Sequence, residues 1–237
     1  MKKLLITLGL LLLSIFVIVL STAQDWANLE QFKNENDALK DPAPGENRVV
    51  FMGNSITIGW IEICPEFFEG KSYINRGISG QTTPQMLVRF RPDVIDLKPA
   101  VVVILAGIND IAENTGPMTL EMTMGNIISM CELAEANNIQ VVLSSVLPVY
   151  SFYDLPHLNP ADKVTAINKM IKEYAKNSGI VYLDYYTSMV DQRKGLREEL
   201  TRDGIHPVKA GYQIMEPLVE EAIQCALGHR MRRAKRN

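Results

Sequence analysis

Val49-Val50-Phe51-Met52-Gly53-Asn54-Ser55-Ile56-Thr57 runs four apolar residues straight into a glycine, an asparagine and a serine. A run that is apolar at every position, rather than at alternate ones, suits a strand covered on both faces. Working outward, similar short runs recur at residues 73–74, 101–105, 141–146 and 180–183, each bounded by turn residues. Between them lie 84–97, 120–136 and 161–177, and after the last run comes 207–227. In these, apolar residues stand three and four apart, as with Ile167, Ile171 and Tyr174, which is the spacing of amphipathic helices. Strand and helix in alternation predict an α/β fold: a five-stranded parallel sheet with helices on both faces. In such sheets ligands bind beyond the carboxyl ends of the strands.

The flanks read differently. Met1-Lys2-Lys3 precedes a run at 4–20 interrupted only by Thr7, Gly9 and Ser14, and Ser21-Thr22-Ala23 follows. A basic start, an apolar middle and small residues at the end predict that 1–23 is a secretory signal peptide or, if uncleaved, a signal anchor, with the body exported to the periplasm or the exterior. Contact with a membrane is expected only in the uncleaved case. Residues 24–48 form an N-terminal extension with no assigned place, 49–227 the domain, and 228–237 a basic tail expected to be a solvated end. With leader and tail set aside, 17 basic side chains face 27 acidic ones, a balance that disfavours nucleic acid and anionic lipid. The whole chain of 237 residues, 47% apolar and 22% charged, is neither disordered nor a disulfide mini-scaffold. Its three cysteines allow at most one bridge, and Cys131 and Cys225 keep helical step with apolar neighbours, which predicts core positions for both.

Chemistry concentrates at the strand ends. The first strand is followed by Ser55, the second by Asn75-Arg76-Gly77-Ile78-Ser79-Gly80, and the third by Ala106-Gly107-Ile108-Asn109-Asp110. At the start of the last helix stands Asp203-Gly204-Ile205-His206-Pro207, where Pro207 biases His206 out of the helix and into the loop. Acyl transfer needs a nucleophile, a base, a group that orients the base, and donors for an oxyanion. Ser55, His206 and Asp203 supply the first three. The N–H groups of Ser55 and Gly80 and the side-chain amide of Asn109 supply the donors. Of the other histidines, His229 lies in the basic tail and His157 has only Asp154 nearby in sequence. Each residue also has an ordinary structural reading: Ser55 and Asp203 as helix caps, Asn109 as an Asx turn. The ordered set at four element ends favours the chemical one.

Four blocks, Gly53-Asn54-Ser55-Ile56, Ile78-Ser79-Gly80, Gly107-Ile108-Asn109-Asp110 and Asp203-Gly204-Ile205-His206, resemble in order and separation those of the SGNH (GDSL) hydrolase family. The resemblance covers about residues 49–227. It implies a three-layer α/β/α flavodoxin-like sandwich, no cofactor, Ser55 as nucleophile, Gly80 and Asn109 in the oxyanion hole, and Asp203 with His206 completing the triad. Through residues 75–83 and 109–116 the chain is most similar to platelet-activating-factor acetylhydrolase-type esterases, which implies short acyl groups, acetyl above all. The first block departs from the family in having Asn54 where aspartate is usual.

Substrate features are sparser. Trp60, five residues after Ser55, either lines the pocket or packs in the core. The loop Pro148-Val149-Tyr150-Ser151-Phe152-Tyr153-Asp154 follows the fourth strand, so Tyr150 and Tyr153 either meet substrate or fold onto their own domain. The expected substrate is a small-molecule or glycan ester, with carbohydrate deacetylation ahead of lysophospholipid or short-chain lipid hydrolysis. A silent carbohydrate-binding module is the non-enzymatic alternative. A flavodoxin-type cofactor site would need a phosphate-cradling loop that residues 53–57 do not provide. Three scattered histidines and no C-x-x-C predict no metal.

Overall fold

The computed structural model describes residues 25–234. The leader at 1–23, the proposed anchor run at 4–20 and the last three residues of the basic tail lie outside the described residues.

Five strands, β1 (Val49–Gly53), β2 (Tyr73–Gly77), β3 (Val101–Leu105), β4 (Gln140–Ser144) and β5 (Val181–Leu183), form one parallel sheet in the order β2-β1-β3-β4-β5. β1 and β3 are buried at every residue, as their unbroken apolar runs require. The chain's helices are α1 (Lys33–Ala38), α2 (Ser55–Ile63), α3 (Thr83–Asp93), α4 (Ile108–Ile111), α5 (Leu120–Ala136), α6 (Pro160–Ser178), α7 (Tyr185–Met189) and α8 (Lys209–Ala234). α2 and α8 cover one face of the sheet, joined by a hydrogen bond from the Tyr212 hydroxyl to the Ile56 carbonyl (2.9 Å). α3, α5 and α6 cover the other. The result is a three-layer flavodoxin-like sandwich whose strand order reverses direction between β1 and β3, the position where such sheets open a crevice.

Some boundaries differ from expectation, for local reasons. The helix expected over 84–97 stops at Asp93 behind Pro92, and a single 3-10 turn at Ile95–Leu97 ends on Lys98 in the left-handed region. The expected solvated end is helical: α8 continues through Gly228 to Ala234. Cys131 is buried in the core as expected, but Cys225 is exposed on α8 and all three thiols are free. Residues 25–48 have a definite place: they form an arm that carries α1 against the carboxyl end of β2 and against α3. Asn36 bonds the Pro92 carbonyl and Asp93, and Arg76 lies over the Phe32 ring at 4.5 Å.

Candidate active site

The β1–α2 turn is built on close approach. A Cβ at Gly77 would run into the backbone of Asn54 and Ile58, so only glycine lets α2 start this near to β2. Asn54 caps the helix, its side-chain oxygen accepting from the Ile56 N–H at 3.2 Å. The cap uses the acceptor that asparagine shares with aspartate. Ser55 is therefore the first helical residue, half-buried at the carboxyl end of the sheet.

The partner loop closes on itself. Thr201 and Pro207 form a β-bridge, and the Thr201 hydroxyl donates to the His206 carbonyl (2.9 Å) while accepting from the Gly204 N–H (3.0 Å). One oxygen of Asp203 accepts the N–H groups of Ile205 (2.9 Å) and His206 (2.8 Å). The other lies 2.7 Å from His206 Nδ1, and His206 Nε2 lies 2.9 Å from Ser55 Oγ. With Nδ1–H donating to the carboxylate, Nε2 is left to accept the serine proton. Partial burial pulls the Asp203 carboxyl upward, but the bonds from the His206 N–H and ring and from the Ile205 N–H outweigh it and hold it at about 2. The pair stays open to solvent, with His206 and Asp203 side chains 46% and 51% exposed.

The expected donors stand just beyond neighbouring strand ends. Gly53 is in register with Gly77 of β2 and Leu105 of β3, so Ser55, Gly80 and Asn109 leave the sheet at one level, two, three and four residues beyond it. Gly80 adopts φ +76°, and the Asn114 side chain donates to its carbonyl at 3.0 Å. Among the described residues, the N–H groups of Ser55 and Gly80 bond to nothing in the chain. Asn109 donates one amide hydrogen to the Gln81 carbonyl (2.9 Å), which leaves the second for a ligand. Asp110 beside it accepts both the N–H and the hydroxyl of Thr83, capping α3; burial raises its carboxyl despite those bonds.

Trp60 is a correction. It is 2% exposed and stacks between Phe67 (4.9 Å) and Tyr212 (5.5 Å), so it belongs to the core and not to a pocket wall. Tyr150 and Tyr153 are 52% and 96% exposed, while Phe152 between them turns inward. Arg193 lies over the Tyr150 ring at 5.2 Å, and the side-chain hydrogen bonds of Ser55 and His206 go to each other and to Asp203 rather than to either tyrosine. Beside the Asp203–His206 pair opens a cleft of about 340 Å³ whose walls include Ile63, Pro207 and Val208, with Arg202 at its side. Among the described residues Arg202 has no carboxylate partner, and no cluster of three or more His, Cys, Asp or Glu is placed to hold a metal ion.

Two residues at this end of the sheet were missed by the sequence reading. Arg89 is wholly buried on α3 and donates to Asp93 (2.9 Å), to the carbonyls of Gly53 (3.0 Å) and Arg76 (2.9 Å), and to Gln81. Gln81, also buried, gives its amide to the Ala27 carbonyl at 2.8 Å. The signal available for Arg89 was its position three residues after Met86 and one before Phe90, on the apolar stripe, with Asp93 one turn further on to pair with it.

The comparisons with known proteins agree with this architecture. The profile of the GDSL-like lipase/acylhydrolase family matches residues 51–214. A crystal structure of a GDSL-like lipase from Bacteroides thetaiotaomicron is 50% identical, with a TM-score of 0.82, covering 84% of this chain and 98% of that one. Esterase TesA of Pseudomonas aeruginosa is 26% identical over 175 residues, 70% of this chain and 78% of its own. The uncharacterized lipoprotein YqeF of Bacillus subtilis is 24% identical over 195 residues, 68% of this chain and 80% of its own. The chain belongs to the GDSL-like lipase/acylhydrolase family and is a carboxylic ester hydrolase.

Proposed function

We propose that the protein is a serine esterase acting on short-chain, chiefly acetyl, esters of carbohydrates, with Ser55 as nucleophile, His206 as base and Asp203 orienting it. The observation that carries the reading is the relay from Asp203 to His206 Nδ1 (2.7 Å) and from His206 Nε2 to Ser55 Oγ (2.9 Å), spanning 151 residues of sequence. Ser55 attacks the carbonyl carbon while His206 takes its proton, and the C=O electron pair moves onto the carbonyl oxygen. That oxygen meets the N–H groups of Ser55 and Gly80 and the free amide hydrogen of Asn109. On collapse His206 returns the proton to the departing alcohol. Water then repeats the sequence on the acyl-serine, releasing acid and free enzyme. Asp203, ionised far below neutrality, favours the imidazolium that forms at each step.

Ser55→Ala is expected to lower turnover of an acetyl-aryl ester by at least about 10³-fold and to abolish labelling by a serine-directed phosphonate. Full activity in that variant rejects the assignment, and an unlabelled, inactive wild-type protein turns the reading towards a binding module. The apolar walls of the cleft beside His206 favour lipid esters as the second reading. Turnover of acetylated xylan or pectin fragments against lysolipids separates the two. We further propose export. The basic-apolar-small leader supports it, and one relative carries the name lipoprotein. Among the described residues no helix is long and apolar enough to cross a membrane.

A further inference from the structure

We propose that Gln81 is the positioning residue of the oxyanion donors, fixed in turn by the buried Arg89 guanidinium and by the N-terminal arm. The inference rests on the oxyanion reading given above. Residue 81 directly follows Gly80, whose N–H is one donor, and its carbonyl holds the amide of Asn109, the second, at 2.9 Å. Rotation of the chain about residues 80–81 would displace together the Gly80 N–H and the Gln81 carbonyl that holds Asn109. What prevents rotation is the Gln81 side chain, 2% exposed and bonded at both polar atoms. Its oxygen accepts from Arg89 Nε, and its nitrogen donates to the Ala27 carbonyl of the arm.

Arg89 is itself anchored where it matters. Nη2 donates to the Gly53 carbonyl, two residues before Ser55, and to the Arg76 carbonyl at the end of β2, while Nη1 pairs with Asp93. One guanidinium and one amide therefore set the serine turn, the Gly80 turn and the Asn109 helix relative to each other. The arm closes the frame from outside. Gln85 donates to the Trp26 carbonyl, and Asn36 accepts twice from Arg76. A buried guanidinium with its donors engaged allows little play. Preorganised donors need that, because their contribution depends on not reorganising as charge develops on the oxygen.

The test compares an acetyl-aryl ester with its thiono analogue, in which sulfur replaces the carbonyl oxygen and takes little from hydrogen-bond donors. For Gln81→Met, kcat on the oxygen ester is expected to fall by up to about 10²-fold, the scale of one lost oxyanion donor. KM should change little, and the thiono ester should lose far less, so the oxygen-to-sulfur rate ratio shrinks. If Gln81→Met does not fold, Gln81→Glu carries the same measurement: it keeps the acceptor for Arg89, loses the donor to Ala27, and is expected to shrink the ratio as well. A folded variant in which both esters fall alike, or neither falls, overturns the proposal. Ser55→Ala serves as the separate control, since activity surviving there rejects the nucleophile and not the role of Gln81.

Discussion

At the residue scale the site divides into groups that act by charge and groups that act by place. Asp203 is of the first kind. Its carboxyl sits at about 2, below its value of about 3.9 in an unfolded chain. A depressed carboxyl contributes stability that is fully present above the unfolded value and is lost as pH falls through the folded one. Asp203→Asn is therefore expected to narrow the difference in melting temperature from wild type as pH drops from 4 towards 2, read by thermal melts across that window. At neutral pH the same variant leaves His206 Nδ1 facing an amide, and kcat should fall by about 10⁴-fold. Asn54 is of the second kind: its cap needs an oxygen, not a charge. Asn54→Asp keeps the acceptor at a helix start that favours negative charge, so turnover should stay within about fivefold of wild type, the scale of such a dipole interaction. The meeting of Ser55 with His206 was legible because both stand beside sharp element ends, where glycine and proline fix the chain. The place of Trp60 was not read from its distance to Ser55, although helix geometry holds the reason. Five residues turn a helix by about 140°, so when Ser55 faces the crevice Trp60 faces the core.

At the element scale the arm is the part that the sequence conceals. Strands announce themselves through β-branched runs, and most helices through apolar spacing. The arm has neither: α1 buries no residue, and the arm is held largely by side-chain bonds to carbonyls and amides far along the chain. Such pairings leave no periodic trace. The same logic predicts what happens when the frame is cut. Arg89→Met removes a buried cation from Asp93 and from the side-chain oxygen of Gln81, and takes one donor from the carbonyls of Gly53 and Arg76, the first of which still accepts from the Ile78 N–H. Breaking a buried pair from one side costs about 3–5 kcal/mol, which urea unfolding of the two proteins will read as a lower midpoint at unchanged slope. Asn36 still reaches Asp93 in that variant, which places the loss towards the lower end.

At the scale of the whole molecule, the runs and spacings gave a parallel sheet but not its order, because strand order depends on which face each crossover helix takes and no single segment encodes that. Cysteine placement shows the same division between local pattern and global packing. Cys131 and Cys225 each keep helical step with apolar residues, yet only Cys131 is buried, because α5 packs that stripe on the sheet while Cys225 lies on the solvent side of α8. Cys64 is inaccessible at the end of α2, its thiol raised by burial above all, and burial pushes Cys131 up to about 12. Thiolate reagents attack exposed sulfur. In the native protein one thiol, Cys225, is therefore expected to react quickly, and the other two only at the rate at which the molecule opens globally. Denaturant should expose all three at once. With no bridge to reduce, dithiothreitol should leave the melting temperature unchanged. Under oxidising conditions the exposed thiol is also the one able to join two molecules, so a covalent dimer formed by oxidation should disappear in Cys225→Ser. Fast reaction of two or three thiols in the folded protein would mean that the packing of α2 or α5 against the sheet is wrong.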